Sequence, residues 1–140
     1  MQRYEREPHI RPHPTPLDGD FLKLDLPAEF AQLERERTET GAIQTAKTLV
    51  KYPSLRVVLI AIGAGGRIPE HQTAGRITFQ TVAGRIRTHA GGRAFDMPVG
   101  LVLALDQSIR HEIEATTDSA LVLTIAWPQD DTASDDTGPS

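Results

Sequence analysis

The sequence predicts an all-β domain, a barrel or sandwich of short antiparallel strands preceded by a short helix and an extended arm. Three observations predict it. From residue 42 to residue 127 the chain falls into short segments rich in Val, Ile, Leu and Thr. Glycine and proline separate them, at Gly63, Gly65-Gly66, Gly84, Gly91-Gly92, Pro98 and Gly100. No helix-length apolar pattern of 3.6-residue period interrupts the stretch.

Seven strands are expected, over residues 45–52, 55–62, 76–82, 85–88, 101–105, 111–115 and 120–127. Many short strands between turns mean a sandwich or a barrel. The run Val57-Val58-Leu59-Ile60-Ala61-Ile62 is apolar at successive positions, so both faces of its strand need cover. Either a packed helix or a dimer interface would supply that cover. A helix is expected over 27–37, where Pro27 suits a first turn, Phe30 and Leu33 share a side, and Gly41 supplies a stop. Before it, proline recurs at Pro8, Pro12, Pro14 and Pro16, too densely for helix or sheet ladder. The expected organisation is one domain: an arm over 1–24, partly disordered, a helix over 25–40, a barrel over 41–128, and a disordered acidic tail over 129–140.

Composition removes several classes of function. There is no cysteine among the 140 residues, so disulfides and thiolate metal sites are excluded. The net charge of −4 comes with no basic stripe, which argues against a nucleic-acid partner. No run approaches the ~20 apolar residues of a membrane span, and the charged first residues lack a secretory core. A cytoplasmic protein that pairs as a homodimer is the expectation. Gly63-Ala64-Gly65-Gly66 lacks a following helix and a Lys-Ser/Thr pair, so it is not a phosphate loop.

The chemistry-bearing residues are histidines. His71 follows the glycine turn and is expected to open a strand; His111 starts a strand; His89 sits at a hairpin tip beside Gly91-Gly92. Strands laid side by side can aim two imidazoles into one barrel mouth. The spacing around them reads Gly65-x5-His71-x-Thr73-x3-Ile77-x6-Gly84, and then Gly100-x5-Asp106-x-Ser108-x2-His111-x3-Ala115, with fifteen residues between the two.

These spacings resemble the two motifs of the cupin superfamily, and the resemblance covers roughly residues 45–127. It implies a jelly-roll β-barrel of antiparallel strands. The family's metal ligands are two His and one Glu in the first motif and one His in the second. Carried over by position, His71 and His111 remain as metal ligands, while Thr73 replaces the other His and Ile77 replaces the Glu. Two imidazoles with water hold a divalent metal weakly. The expected cofactor is therefore at most one divalent metal (Zn, Fe, Mn or Ni), weakly bound or absent. The expected function is a small-molecule-binding barrel with a vestigial metal site, its ligand held by Thr73, Ile77, Phe79 and Gln80. The alternative is a metal-dependent isomerase or dioxygenase using His71 and His111. Asp106 and Ser108 replace the Pro and Gly of the second motif's turn, and both residues stabilise turns. Arg76 or Arg110 is the candidate for an inward arginine that clamps a carboxylate.

Overall fold

The structure is a computed structural model. It describes residues 21–71 and 73–128, with residues 70 and 71 described by their backbone alone. The arm over 1–20 with His9 and His13, the tail over 129–140, and Gln72 lie outside the described residues.

Among the described residues one helix, α1 (Leu26–Thr40), precedes nine strands: β1 (Gln44–Tyr52), β2 (Leu55–Ile62), β3 (Arg67–His71), β4 (Arg76–Ala83), β5 (Arg85–Ala90), β6 (Arg93–Pro98), β7 (Val102–Leu105), β8 (His111–Ala115) and β9 (Ser119–Ala126). They form a five-stranded sheet in the order β1-β2-β9-β4-β7 and a four-stranded sheet in the order β3-β8-β5-β6. Every pairing is antiparallel. The two sheets enclose one apolar core, to which Val58, Ile60, Ile77, Phe79, Leu121 and Leu123 contribute from the larger sheet and Ile68, Ile86, Met97 and Ile113 from the smaller. All-β architecture and jelly-roll closure are as the sequence predicts.

Two of the nine strands, β3 and β6, were not expected. Each is an edge strand and each contains a proline, Pro69 and Pro98. Proline cannot donate to a ladder, so it reads as a break, yet an edge strand or a bulge tolerates it. His71 consequently ends a strand rather than opening one.

The helix resolves what covers β2. Asp25 caps it, its side chain accepting a bond from the Ala28 amide, and Gly41 ends it in the left-handed region at φ 76°. Leu33 is fully buried and packs with Leu59, Ala61, Ala120 and Val122 on the outer face of the larger sheet. Burying such a leucine contributes about 2 kcal/mol. Lys47 on β1 pairs with Glu29 on the helix. β2 is thus an internal strand whose outer face is covered by a helix.

Gly84, the last residue of the first motif, shows why glycine is needed there. It joins β4 to β5 at φ +75°, and a Cβ would lie 2.2 Å from the Asp118 carbonyl oxygen and 2.3 Å from Ser119 Oγ. Gly84→Ala is expected to cost about 2–4 kcal/mol, combining left-handed strain with overpacking. Gly92→Ala, at φ +79° with open space around it, carries only the strain and should cost about 1–2 kcal/mol. Urea unfolding midpoints of the two variants check this. Equal losses would mean that the approach of Asp118 is not what constrains residue 84.

Candidate functional site

One end of the barrel is ringed by two rows of inward-facing positions, one on each sheet. Across the larger sheet the row runs Lys51, Arg56, Ile125, Ile77, Leu105. Across the smaller sheet it runs His111, Ala90, Arg93, with the backbone of residue 71 paired beside His111. The hairpin turns 52–55 and 90–93 and the connections 71–76 and 105–111 surround this mouth.

The position of residue 71 depends on a bulge. Ile68 pairs with Ile113 and His71 pairs with His111, so β3 spends three steps where β8 spends two. Without that extra residue, strand alternation would put residues 68 and 71 on opposite faces. The bulge, at Pro69-Glu70, brings position 71 into register with His111.

His111 is 2% exposed. Its Nδ1 donates to the Ile109 carbonyl at 2.9 Å, which in the neutral ring leaves Nε2 unprotonated. The ring meets Phe79 of the opposite sheet edge-on, with centroids 5.3 Å apart and planes at 63°. This contact joins the two sheets directly beneath the mouth.

Ile77 is 3% exposed among Ile125, Leu105 and the rest of the core. Thr73 is half-buried in the connection between β3 and β4; its hydroxyl accepts from the Gly75 amide at 3.3 Å and its carbonyl accepts from the Ser108 amide at 3.0 Å. Ser108 occupies the left-handed region at φ 63°, the conformation for which the second motif supplies glycine. Asp106 accepts from the Gln107 amide at 2.7 Å and pairs with Arg76 at 2.8 Å. These two bonds, the amide first, hold its carboxyl below the usual carboxylate range.

Of the expected ligand-contacting residues, Phe79 meets the His111 ring, Ile77 shares the inner face of β4 with it, Thr73 lies in the connection between β3 and β4, and Gln80 is on neither the inner face nor that connection. Gln80 is exposed on the other face of β4, because it is one residue out of step with Ile77 and Phe79. Arg76 and Arg110 are exposed and do not enter the barrel. Arg76 is held outside by Asp106. The inward-row arginines are instead Arg56, whose guanidinium lies 5.4 Å from the Trp127 ring centroid, and Arg93, 5.3 Å from that of Phe95. Sequence reasoning missed both. Their parity with Val58 and Met97 was the available signal. Thr88, one row deeper than Ala90, was also missed; it is fully buried and its hydroxyl has no partner among the described residues. His89 lies on the outer face, 3.5 Å from Glu114.

The donor set fits a metal poorly. Ile77 has no donor atom and is buried among apolar groups, and the Thr73 hydroxyl is engaged by its own turn. Among the described residues no group of three or more His, Asp or Glu is arranged to hold a metal ion.

Two antiparallel sheets closed as a jelly roll give the chain a cupin-type fold. Solved structures agree on the fold. An RmlC-like cupin from Desulfovibrio desulfuricans matches at TM-score 0.57 and 20% identity, covering 84% of this chain and 97% of that one. A cupin superfamily protein from Desulfitobacterium hafniense matches at TM-score 0.59 and 13% identity, covering 61% and 78%. A salicylate 1,2-dioxygenase from Pseudoaminobacter salicylatoxidans matches at TM-score 0.64 and 15% identity, covering 89% of this chain but 41% of that one. No protein-family model and no curated protein sequence matches the chain. No helix among the described residues is long and apolar enough to cross a membrane.

Proposed function

We propose that this barrel binds a small organic molecule at the mouth and holds a metal there weakly or not at all. The observation that carries this reading is the burial of Ile77, at 3% exposure, where the resemblance assigns a carboxylate ligand. Exchanging that carboxylate for an isoleucine trades a hard-cation donor for apolar contact surface. His111, Thr73 and Phe79 supply the polar and aromatic edges around it.

A second reading, a divalent ion on His71 and His111, is favoured by one observation: the two residues are direct cross-strand partners. The two readings separate in one experiment on the purified full chain. Elemental analysis is expected to give far less than one metal per chain, and chelator is expected to leave the thermal midpoint unchanged. Fragment screening by NMR is expected to move the amides of Thr73, Phe79 and His111. Stoichiometric metal with a large chelator-induced fall in midpoint would overturn the first reading, as would a screen in which no fragment perturbs the mouth.

A further inference from the structure

We propose that two copies of this chain pair through the β7 edge, joining their larger sheets into one; the pairing is independent of what the mouth binds. Among the described residues, β1, β7, β3 and β6 end the two sheets. An edge strand offers backbone groups to another strand, and charge, proline and bulges discourage that pairing. β3 carries Arg67, Pro69 and a bulge, and β6 carries Arg93, Asp96 and Pro98. β1 carries Lys47 and Lys51, with α1 packed on its outer face. β7, Val102-Leu103-Ala104-Leu105, carries neither charge nor proline, and its register with β4 is unbroken. It lies at the opposite edge of the larger sheet from β1.

The strand has an apolar knob at one end and a hollow at the other. Val99, Leu101 and Val102 are 57%, 47% and 56% exposed, three of the five large apolar side chains so exposed among the described residues. At the other end Ala104, Asp106, Arg76, Thr78, Thr124 and Ala126 line an open hollow of about 380 Å³. Its two charges, Arg76 and Asp106, pair with each other at 2.8 Å, so an identical surface meets no unbalanced charge there. A two-fold axis through the middle of β7 exchanges the ends of the strand, and each copy's knob then meets the other's hollow. A second copy therefore supplies both complementary features at once, which is why it is the occupant. Alternation limits the register. Antiparallel partners share a face, so the axis must pass through a residue rather than between two. Centred on Leu103, it sets Val102 opposite the partner's Ala104, beside the hollow, and Leu101 opposite the partner's Leu105. Centred on Ala104, it would set Val102 against the partner's Asp106, an apolar group against a carboxylate. The axis is therefore placed at Leu103.

A four-residue ladder with a few apolar contacts makes a small interface, so sedimentation equilibrium of the full chain is expected to show monomer–dimer exchange with a Kd of about 1–100 µM. Val102→Lys places a charge at an exposed position on the edge and is expected to raise that Kd at least about tenfold. Val102→Cys combined with Ala104→Cys introduces the only cysteines in the chain. Directly opposed residues of an antiparallel pair lie within disulfide reach, and mild oxidation is expected to give a covalent dimer. A chain that stays monomeric at about 500 µM would overturn the proposal and leave this edge to a different apolar strand. A dimer whose Kd ignores Val102→Lys, or whose double-cysteine variant fails to cross-link, would overturn it by placing the interface elsewhere.

Discussion

Thr73→His combined with Ile77→Glu is expected to produce a barrel that is less stable than the natural one when metal-free and recovers when a divalent ion is added. Ile77 sits between Ile125 and Leu105 on the inner row, 3% exposed. A carboxylate placed there is an uncompensated buried charge, and it should cost about 3–5 kcal/mol. The histidine and glutamate would join His111, whose Nδ1 bond to the Ile109 carbonyl orients the ring for coordination through Nε2. An ion held at a thousand times its dissociation constant returns about 4 kcal/mol. Metal-free and zinc-loaded unfolding midpoints, with zinc titrated to saturation, measure both halves of the effect. The natural sequence should show almost no zinc-dependent shift. If the double variant binds zinc no better than the parent, positions 73 and 77 do not converge on His111.

The barrel was legible because its punctuation is local. Asp25, Pro27 and Gly41 mark the helix, and Gly91-Gly92 marks a hairpin, through conformations that each residue type prefers on its own. β3 and β6 were not legible for the same reason. Pro69 and Pro98 are local signals against a strand, and only the tertiary position of each strand, at a sheet edge, makes them tolerable. The site divides in the same way. His111 was found from its place at the start of a strand. The pairing of residue 71 with it depends on a bulge at Pro69-Glu70 and on two strands forty residues apart, neither of which leaves a periodicity to read. Motif spacing carried that information where residue patterning had none. Gln80 failed by simple alternation: counting along β4 from Ile77 puts it outside, and that count outweighs its being a polar residue close in sequence to the site. Arg56 and Arg93 were passed over because arginine on a strand reads as a solvent-facing residue. Their rows are defined by partners on other strands.

Phe79→Ala is expected to be the most destabilising single truncation in the barrel, at about 3–5 kcal/mol. The ring is 1% exposed. It lies on β4 between Leu123 of β9 and Leu103 of β7, and it reaches across the barrel to His111 on the other sheet. Most core side chains here pack within one sheet's inner surface and touch the other sheet through aliphatic contacts. Phe79 does this too, and it also sets the orientation of the buried imidazole. Removing the ring leaves a cavity at the junction of the two sheets and forfeits an edge-on aromatic contact of about 0.5–1.5 kcal/mol. Phe79→Leu retains much of the volume and should cost about 1–1.5 kcal/mol. The leucine variant is therefore the better probe of function: it folds, yet it lacks the ring face that holds His111. Fragment binding at the mouth should weaken in Phe79→Leu beyond what its small loss of stability explains, with the largest amide shifts moving away from His111. A Phe79→Ala loss below about 1 kcal/mol by urea unfolding would mean that the sheets close through other contacts.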